Sequence, residues 1–257
     1  MSGSFRVLSV GNSFSTDTME YLASIAKACG KRDVVIGNLY VGGCSIRKHF
    51  AHLEENAAVY EYYVDRGEGF SCTPQTRIAD AVQAEDWDVI SIQHGSADGS
   101  LYGDPSYYEK LPLLVQGLKA LAPHAKIAFN MTWTGEPYLT WSEIARYKGD
   151  QQALYRDITA VTRDTVQTTA GIDVISPTGT AVQNARTALA FELTRDGYHL
   201  SFDVGRYLAG LTFFKALSGC AIDAIVWAPE GVSEDVKHTL IRAANAAVQT
   251  PFEVTSL

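Results

Sequence analysis

Residues 5–15 read FRVLSVGNSFS, and this stretch decides the fold. Its apolar run, Val7–Val10, is short and almost continuous, which is typical of a strand buried on both faces of a parallel sheet. The stretch then passes through glycine, asparagine and serine, which favour turns and helix starts. Residues 5–15 therefore predict a strand that ends in a tight turn and leads into a helix.

The helix after this turn has its own start and stop signals. Asp17 is followed three residues later by Glu20, which resembles a capping box. An apolar face then recurs at helical spacing, and Gly30 is a suitable C-terminal stop. The residues on that face are Met19, Leu22, Ile25, Ala26 and Cys29.

The same alternation continues along the chain. Four more apolar runs predict strands at Val34–Tyr40, Asp88–Gln93, Lys126–Met131 and Asp173–Ser176. Helical patterns lie between and after them, at about residues 45–63, 76–84, 106–122, 151–170, 181–189, 204–217 and 234–248. This order predicts an α/β fold, a three-layer α/β/α sandwich around a central parallel sheet of about five strands. No linker-like segment divides the chain, so we interpret residues 1–257 as a single domain.

Composition excludes several classes of protein. Hydrophobic residues make up 46% of the 257 residues and charged residues 19%, which supports a buried core rather than disorder. The formal net charge is −8, so nucleic acid is not an expected partner. No run reaches the roughly 18 apolar residues of a membrane-spanning helix, so no membrane partner is expected either.

Cofactor and export signals are also missing from the sequence. The four cysteines lack Cys-x-x-Cys spacing, and no His, Asp or Glu cluster has the spacing of metal ligands. No phosphate-binding glycine motif occurs, so no cofactor is expected. Without a leader-like segment the chain is cytoplasmic as written, or exported if residues 1–4 replace a removed signal. The sequence does not indicate an oligomeric state.

Two segments carry candidate chemistry. Ser13 is predicted at the carboxyl edge of the sheet and near a helix N-terminus, where developing negative charge is favoured. A serine needs a base to take its proton. Asp196-Gly197-Tyr198-His199, just before the predicted helix from Val204, offers a carboxylate that could orient an imidazole.

Taken together, these segments resemble the SGNH (GDSL-like) hydrolase superfamily, over about residues 5–217. The resemblance is closest to a less characterised bacterial branch whose first block reads Gly-Asn-Ser-Phe-Ser, here residues 11–15. The second block resembles Val41–Ser45, and the last block, Asp-x-x-His, matches residues 196–199. The resemblance implies a flavodoxin-like strand order 2-1-3-4-5.

The same resemblance implies roles for individual residues. Ser13 would be the nucleophile, His199 the general base and then acid, and Asp196 the residue that orients His199. The backbone N–H groups of Ser13 and of Gly42 or Gly43 would form the oxyanion hole, because glycine lets backbone approach a substrate closely.

The third block departs from the family pattern. The family usually has Gly-x-Asn-Asp there, but the asparagine position falls on Ala97, which has no side-chain donor. We expect Gln93, at the end of a buried strand, to replace that donor, with Ser96 and Asn130 as alternatives. Losing one oxyanion donor typically costs about 100- to 1000-fold in rate, so a replacement is expected.

Two segments rich in loop residues, 95–104 and 132–147, follow predicted strands and should border the ligand crevice. They motivate a candidate substrate pocket that includes His94, Ser96, Asn130 and Trp133; His94 could equally be structural. His49 and His52 fall on a predicted helix among charged residues and are expected to be solvated.

The resemblance implies a serine esterase that removes acetyl or other short acyl groups from a carbohydrate through an acyl-enzyme on Ser13. An acidic, polar chain fits a water-soluble substrate, a small molecule or glycan ester, better than a membrane lipid. Two alternatives remain open: a lipase or thioesterase acting on longer acyl chains, and a non-catalytic carbohydrate-binding module with the same fold.

Overall fold

The protein is described by a computed structural model that covers residues 3–95 and 102–257. Within these residues one sheet holds seven strands: β1 (Ser4–Gly11), β2 (Asp33–Tyr40), β3 (Tyr60–Asp65), β4 (Phe70–Thr76), β5 (Val89–Gln93), β6 (Lys126–Asn130) and β7 (Ile172–Ser176). Ten α-helices accompany them: α1 (Ser13–Met19), α2 (Leu22–Ala28), α3 (Ile46–Glu54), α4 (Ile78–Gln83), α5 (Leu111–Leu121), α6 (Glu143–Arg146), α7 (Gln151–Val161), α8 (Thr178–Arg186), α9 (Val204–Ser218) and α10 (Glu234–Gln249).

The sheet confirms the predicted parallel core and adds two strands. Its order is β4-β3-β2-β1-β5-β6-β7. All five predicted strands are present, and β2, β1, β5, β6 and β7 run parallel in the expected order. Because their carboxyl ends meet at one edge, the loops that follow them lie next to one another.

Helices cover both faces of the sheet, which gives the predicted three layers. Along β1, Leu8 and Val10 join one hydrophobic core, which includes residues of α3, α4, α5 and α7. Val7, on the opposite face, joins a second core with residues of α1, α2, α8, α9 and α10. This two-sided burial explains why the parallel strands are apolar almost throughout. No helix in the described ranges has the length and apolar character needed to cross a bilayer.

The two extra strands form a hairpin that begins inside the last turn of a predicted helix. The helix expected over residues 45–63 ends at Glu54, and Asn56 takes a left-handed conformation with φ of 51°. Tyr60–Asp65 then alternates buried and more exposed residues, which is the period of a strand. At the turn, Asp65 Oδ1 accepts hydrogen bonds from the N–H groups of Gly67 and Gly69, both at positive φ. The β3–β4 hairpin pairs antiparallel with β2 and widens the sheet.

The first helix also differs from the prediction at its start. It begins at Ser13, and Asn12 rather than Asp17 is its N-cap. The helix breaks after Met19 and resumes as α2, which ends just before Gly30 at φ of 85°. Asp17 is buried inside α1, because its carboxylate binds side chains from the C-terminal half of the chain.

Candidate active site

Ser13 lies where β1 passes into α1. Asn12 has an extended backbone, and its Oδ1 accepts a hydrogen bond of 3.0 Å from the N–H of Phe14. Gly11 has no room for a side chain, because a Cβ would lie 2.4 Å from Ser15 Oγ. Ser13 is therefore held as the first residue of α1, where a backbone N–H has no partner within the helix.

Asp196 and His199 occupy a tight turn between α8 and α9. The N–H of Arg195 donates to the His199 carbonyl at 2.9 Å, and Gly197 has φ of 79°, a conformation that glycine adopts readily. Asp196 Oδ1 accepts hydrogen bonds from the N–H groups of Tyr198 at 2.9 Å and His199 at 2.7 Å. The carboxylate thus organises the turn that presents the imidazole.

The structure brings these two segments together. Ser13 Oγ lies 3.0 Å from His199 Nε2, although the residues are 186 positions apart in the sequence. His199 Nδ1 lies 2.7 Å from Asp196 Oδ2. With Nδ1 donating to the carboxylate, Nε2 is left to accept the proton of the Ser13 hydroxyl. This is the geometry of a serine–histidine–aspartate triad.

The charge of Asp196 suits this arrangement. Burial would raise the pKa of Asp196, but hydrogen bonds from the His199 ring, the His199 N–H and the Tyr198 N–H outweigh it. The pKa of Asp196 therefore lies below its ordinary value. The carboxylate is ionised at neutral pH and can stabilise a positive charge on the imidazole.

Asp17 holds α1, which carries Ser13, against the turn that carries His199. Its side chain is 0% exposed. Oδ1 accepts from Arg195 Nη1 at 2.9 Å and from Arg206 Nε at 2.8 Å, while Oδ2 accepts from the N–H of Leu200 at 2.8 Å. Arg195 and Leu200 directly flank the segment from Asp196 to His199.

Sequence reasoning gave Asp17 the wrong role. It was predicted to be a helix cap, whereas the structure makes it a buried bridge between α1 and the turn before α9. Arg206 on α9 reaches it from 189 positions along the chain. The sequence carries no signal for these pairings, because ion pairs between distant segments leave no spacing pattern.

Asn12 connects Ser13 to the neighbouring strand ends. Its Nδ2 donates to the carbonyl of Cys44 at 3.0 Å and to that of His94 at 3.2 Å. Its Oδ1 accepts from Gln93 Nε2 at 2.7 Å as well as from the helix. Asn12 therefore ties the ends of β1 and β5 to the loop after β2.

The predicted glycine block lies in that loop. The N–H of Val41 donates to the Gly11 carbonyl at 3.2 Å, and the N–H of Cys44 closes a turn onto the Val41 carbonyl at 3.2 Å. Gly42 and Gly43 are exposed at this turn, and Gly43 has φ of 60°. They lie at the same sheet edge as Ser13, and their contribution to an oxyanion hole stays a prediction.

The expected side-chain donors are placed differently. Gln93 is only 2% exposed and its amide nitrogen donates to Asn12, so it supports the turn at Ser13; its contribution to an oxyanion hole stays a prediction. Asn130 is fully buried, with Nδ2 donating to Thr18 and Oδ1 accepting from Thr178, so it does not line a pocket. Ser96 lies outside the described residues.

His94 and Trp133 are internal supports, not pocket walls. His94 is fully buried among the rings of Tyr102, Tyr108 and Phe129, and burial lowers its pKa to about 3. Trp133 is also buried. Its indole N–H donates to the carbonyl of Tyr198 at 2.8 Å, and its ring packs edge-on against Phe14. Trp133 therefore stabilises the turn that carries His199 through its contact with Tyr198.

The expectation of solvated histidines on α3 was wrong for His49. His49 is buried, its Nδ1 lies 2.8 Å from the hydroxyl of Tyr60, and burial lowers its pKa to about 3. The hairpin explains this, because Tyr60 at the start of β3 covers α3. His52 is only partly buried and also contacts that hydroxyl.

Ser13 opens into a cleft of about 590 Å³, which we name the Ser13 cleft. Its walls come from α1, the end of β2, the β3–β4 hairpin and Arg195. The volume is in the range of small-molecule sites. Across residues 3–95 and 102–257, no group of three or more His, Cys, Asp or Glu side chains is arranged to hold a metal ion.

Comparison with known proteins identifies the family. The profile of the family described as domain of unknown function DUF4886 matches residues 6–249, so the chain belongs to the DUF4886 family. The crystal structure of a DUF4886 family protein from Bacteroides uniformis is similar with a TM-score of 0.92 and 33% sequence identity. That match covers 99% of this chain and 98% of the other. The fold is therefore that of an experimentally determined relative.

More distant similarities have TM-scores below 0.5. A candidate GDSL-like lipase from Parabacteroides merdae gives 0.48 at 16% identity, covering 83% of this chain and 94% of that one. A candidate acylhydrolase from Bacteroides fragilis gives 0.47 at 16% identity, covering 95% and 88%. No protein with a curated function matches the sequence significantly.

Proposed function

We propose that the protein is a serine esterase of the SGNH (GDSL-like) superfamily that removes acetyl or other short acyl groups from a carbohydrate. One observation carries the proposal: Ser13 Oγ lies 3.0 Å from His199 Nε2, whose ring is held by Asp196 at 2.7 Å. The Gly-Asn-Ser-Phe-Ser block that contains Ser13 supports the assignment to a bacterial branch of that superfamily.

The first half-reaction forms an acyl-enzyme. His199 Nε2 takes the proton of the Ser13 hydroxyl as Oγ attacks the carbonyl carbon of the ester. The negative charge that develops on the carbonyl oxygen is stabilised by the N–H of Ser13 and that of Gly42 or Gly43. As the bond to the alcohol oxygen breaks, His199 returns its proton to the leaving alcohol.

The second half-reaction regenerates the enzyme. His199 takes a proton from water as the water attacks the acyl carbon on Ser13. The tetrahedral intermediate then expels Ser13 Oγ, which recovers its proton from His199, and the carboxylic acid departs. Asp196 stays ionised throughout and stabilises the imidazolium in both halves.

The acidic composition of the chain supports a soluble substrate over a membrane lipid. The formal net charge of −8 repels anionic lipid surfaces. This favours short acyl groups on a water-soluble carrier such as a sugar over long acyl chains.

Hydrolysis of p-nitrophenyl acetate by the wild type, Ser13→Ala and His199→Ala tests the proposal. We expect both variants to lose at least 1000-fold in kcat while circular dichroism shows an intact fold. Wild-type turnover in both variants would refute it. A series of p-nitrophenyl esters tests the acyl group, and an optimum at eight carbons or more would indicate a lipase or thioesterase instead.

A further inference from the structure

The β3–β4 hairpin, which the five-stranded prediction lacked, builds one wall of the Ser13 cleft. On β3, Glu61 and Tyr63 project from the same face, because alternate residues of a strand share a face. They pair across the sheet with Tyr40 and Asn38 of β2, which also line the cleft. Phe70 of β4 completes this wall.

The wall presents aromatic rings. The rings of Tyr40 and Tyr63 meet edge-on with centroids 6.4 Å apart. Phe70 is 37% exposed, although it is large and apolar. Exposed ring faces next to polar groups are suited to a flat ligand that has both apolar C–H surfaces and hydroxyl groups.

Charges in the cleft are unevenly paired. Glu20 pairs with Arg206 at 3.0 Å, and Arg195 pairs with buried Asp17. Glu61 instead accepts a hydrogen bond of 2.7 Å from the hydroxyl of Tyr63, and no cation pairs with it in the described part of the chain. Its remaining acceptor sites are therefore available to donors on a ligand.

The wall reaches the candidate oxyanion loop through Tyr40. A Cβ on Gly42 would lie 3.3 Å from the hydroxyl oxygen of Tyr40, so this ring sits beside the glycine turn. A ligand lying on the wall would consequently extend from Ser13 outward along the hairpin.

We propose that this wall is the subsite for the alcohol part of the ester, and that it takes an uncharged sugar ring. The sugar ring stacks on Phe70, beside the half-buried rings of Tyr40 and Tyr63, and its hydroxyls donate to Glu61. The proposal rests on the esterase activity argued above. The unpaired carboxylate disfavours uronic acids and sugar phosphates, because like charges repel in a partly enclosed cleft.

Two other occupants fit less well. A long acyl chain would remove Glu61 and the tyrosine hydroxyls from water without replacing their hydrogen bonds, which is costly. A quaternary ammonium group would be attracted by the rings and the carboxylate. It would, however, offer no acceptor to the hydroxyl of Thr16, which lines the cleft and accepts from the Asn38 amide, whereas a sugar hydroxyl can accept from it.

The test compares two acetate esters in a pH-stat. Methyl 6-O-acetyl-glucoside carries a sugar ring with free hydroxyls, and ethyl acetate has an alcohol part too small to reach the hairpin. We expect Glu61→Gln and Phe70→Ala each to lower the ratio of kcat/KM for the glucoside to that for ethyl acetate at least tenfold, mainly by raising KM for the glucoside. Glu68→Gln, a matched change in the exposed hairpin turn outside the cleft, should leave the ratio unchanged.

Two outcomes would overturn the subsite. One is a ratio in Glu61→Gln and Phe70→Ala equal to that of the wild type. The other is a KM for acetylcholine that is lower than the KM for the glucoside in the wild type but not in Glu61→Gln. That result would indicate that the subsite takes a cationic alcohol.

Binding to Ser13→Ala separates failure of the subsite from failure of the esterase. Calorimetry should detect the glucoside on Ser13→Ala and not on Ser13→Ala/Glu61→Gln. Binding without any turnover by the wild type would refute the esterase and keep the subsite. Turnover by the wild type, with the same ratio of kcat/KM values in Glu61→Gln and Phe70→Ala, would keep the esterase and refute the subsite.

Discussion

Replacing Asp17 by asparagine should loosen the contact between α1, which carries Ser13, and the turn that carries His199. The carboxylate accepts three hydrogen bonds of 2.8–2.9 Å, two of them from arginines, and its side chain is 0% exposed. An asparagine of the same shape turns an N–H₂ group toward a donor in either orientation. Removing one partner of a buried ion pair costs about 3–5 kcal/mol, so we expect a loss of that size in the free energy of unfolding.

Activity should fall with stability in Asp17→Asn. Leu200, which Asp17 binds, follows His199 directly, and a misplacement of about 1 Å at a catalytic group can cost roughly 100-fold in rate. We expect kcat on p-nitrophenyl acetate to drop about 10- to 100-fold at a temperature where the variant is folded, with a smaller change in KM.

Urea unfolding and steady-state kinetics measure these two effects. Asp164→Asn is the matched control, because Asp164 pairs with Arg163 on the exposed surface, where such pairs contribute little to stability. If Asp17→Asn changed the free energy of unfolding no more than this control, and kcat stayed within twofold, the bridging role of Asp17 would be wrong.

Two other predictions concern buried rings. Trp133→Phe removes the N–H that binds the Tyr198 carbonyl, so the free energy of unfolding should fall by about 1–3 kcal/mol and kcat should fall too; unchanged values in urea unfolding and kinetics would contradict this. Burial lowers the pKa of His94 to about 3, so the unfolded chain binds a proton that the folded one does not as the pH drops from about 6.5 toward 3. The free energy of unfolding should therefore decline over that range, and less steeply in His94→Phe. Equal pH dependence of the free energy of urea unfolding in both proteins would refute the lowered pKa of His94.

The sheet was largely predictable from sequence, and the hairpin was not. Strands buried on both faces are nearly continuous apolar runs, which is why β1, β2, β5, β6 and β7 could be recognised. Around the hairpin, Phe50, Leu53, Ala57 and Tyr60 happen to keep helical spacing. The left-handed conformation of Asn56 ends the helix before that pattern does. The presence of an asparagine in the sequence is not enough to predict this conformation.

The site was predictable where it depends on motifs. Ser13, Asp196 and His199 stand in short blocks that resemble a known superfamily, and the structure brings them within hydrogen-bonding distance. Gln93 was expected to be an oxyanion donor, because it is a buried amide at the end of a strand. Its partner is the side chain of Asn12, which directly follows β1, and only the folded sheet creates this contact.

The most direct test of the account is covalent labelling with a fluorophosphonate, followed by mass spectrometry of the intact protein and its peptides. We predict one adduct per chain, located on Ser13, with slower labelling in His199→Ala and none in Ser13→Ala. An adduct on another serine such as Ser15 or Ser45, or undiminished labelling of Ser13→Ala, would contradict the assignment of the nucleophile.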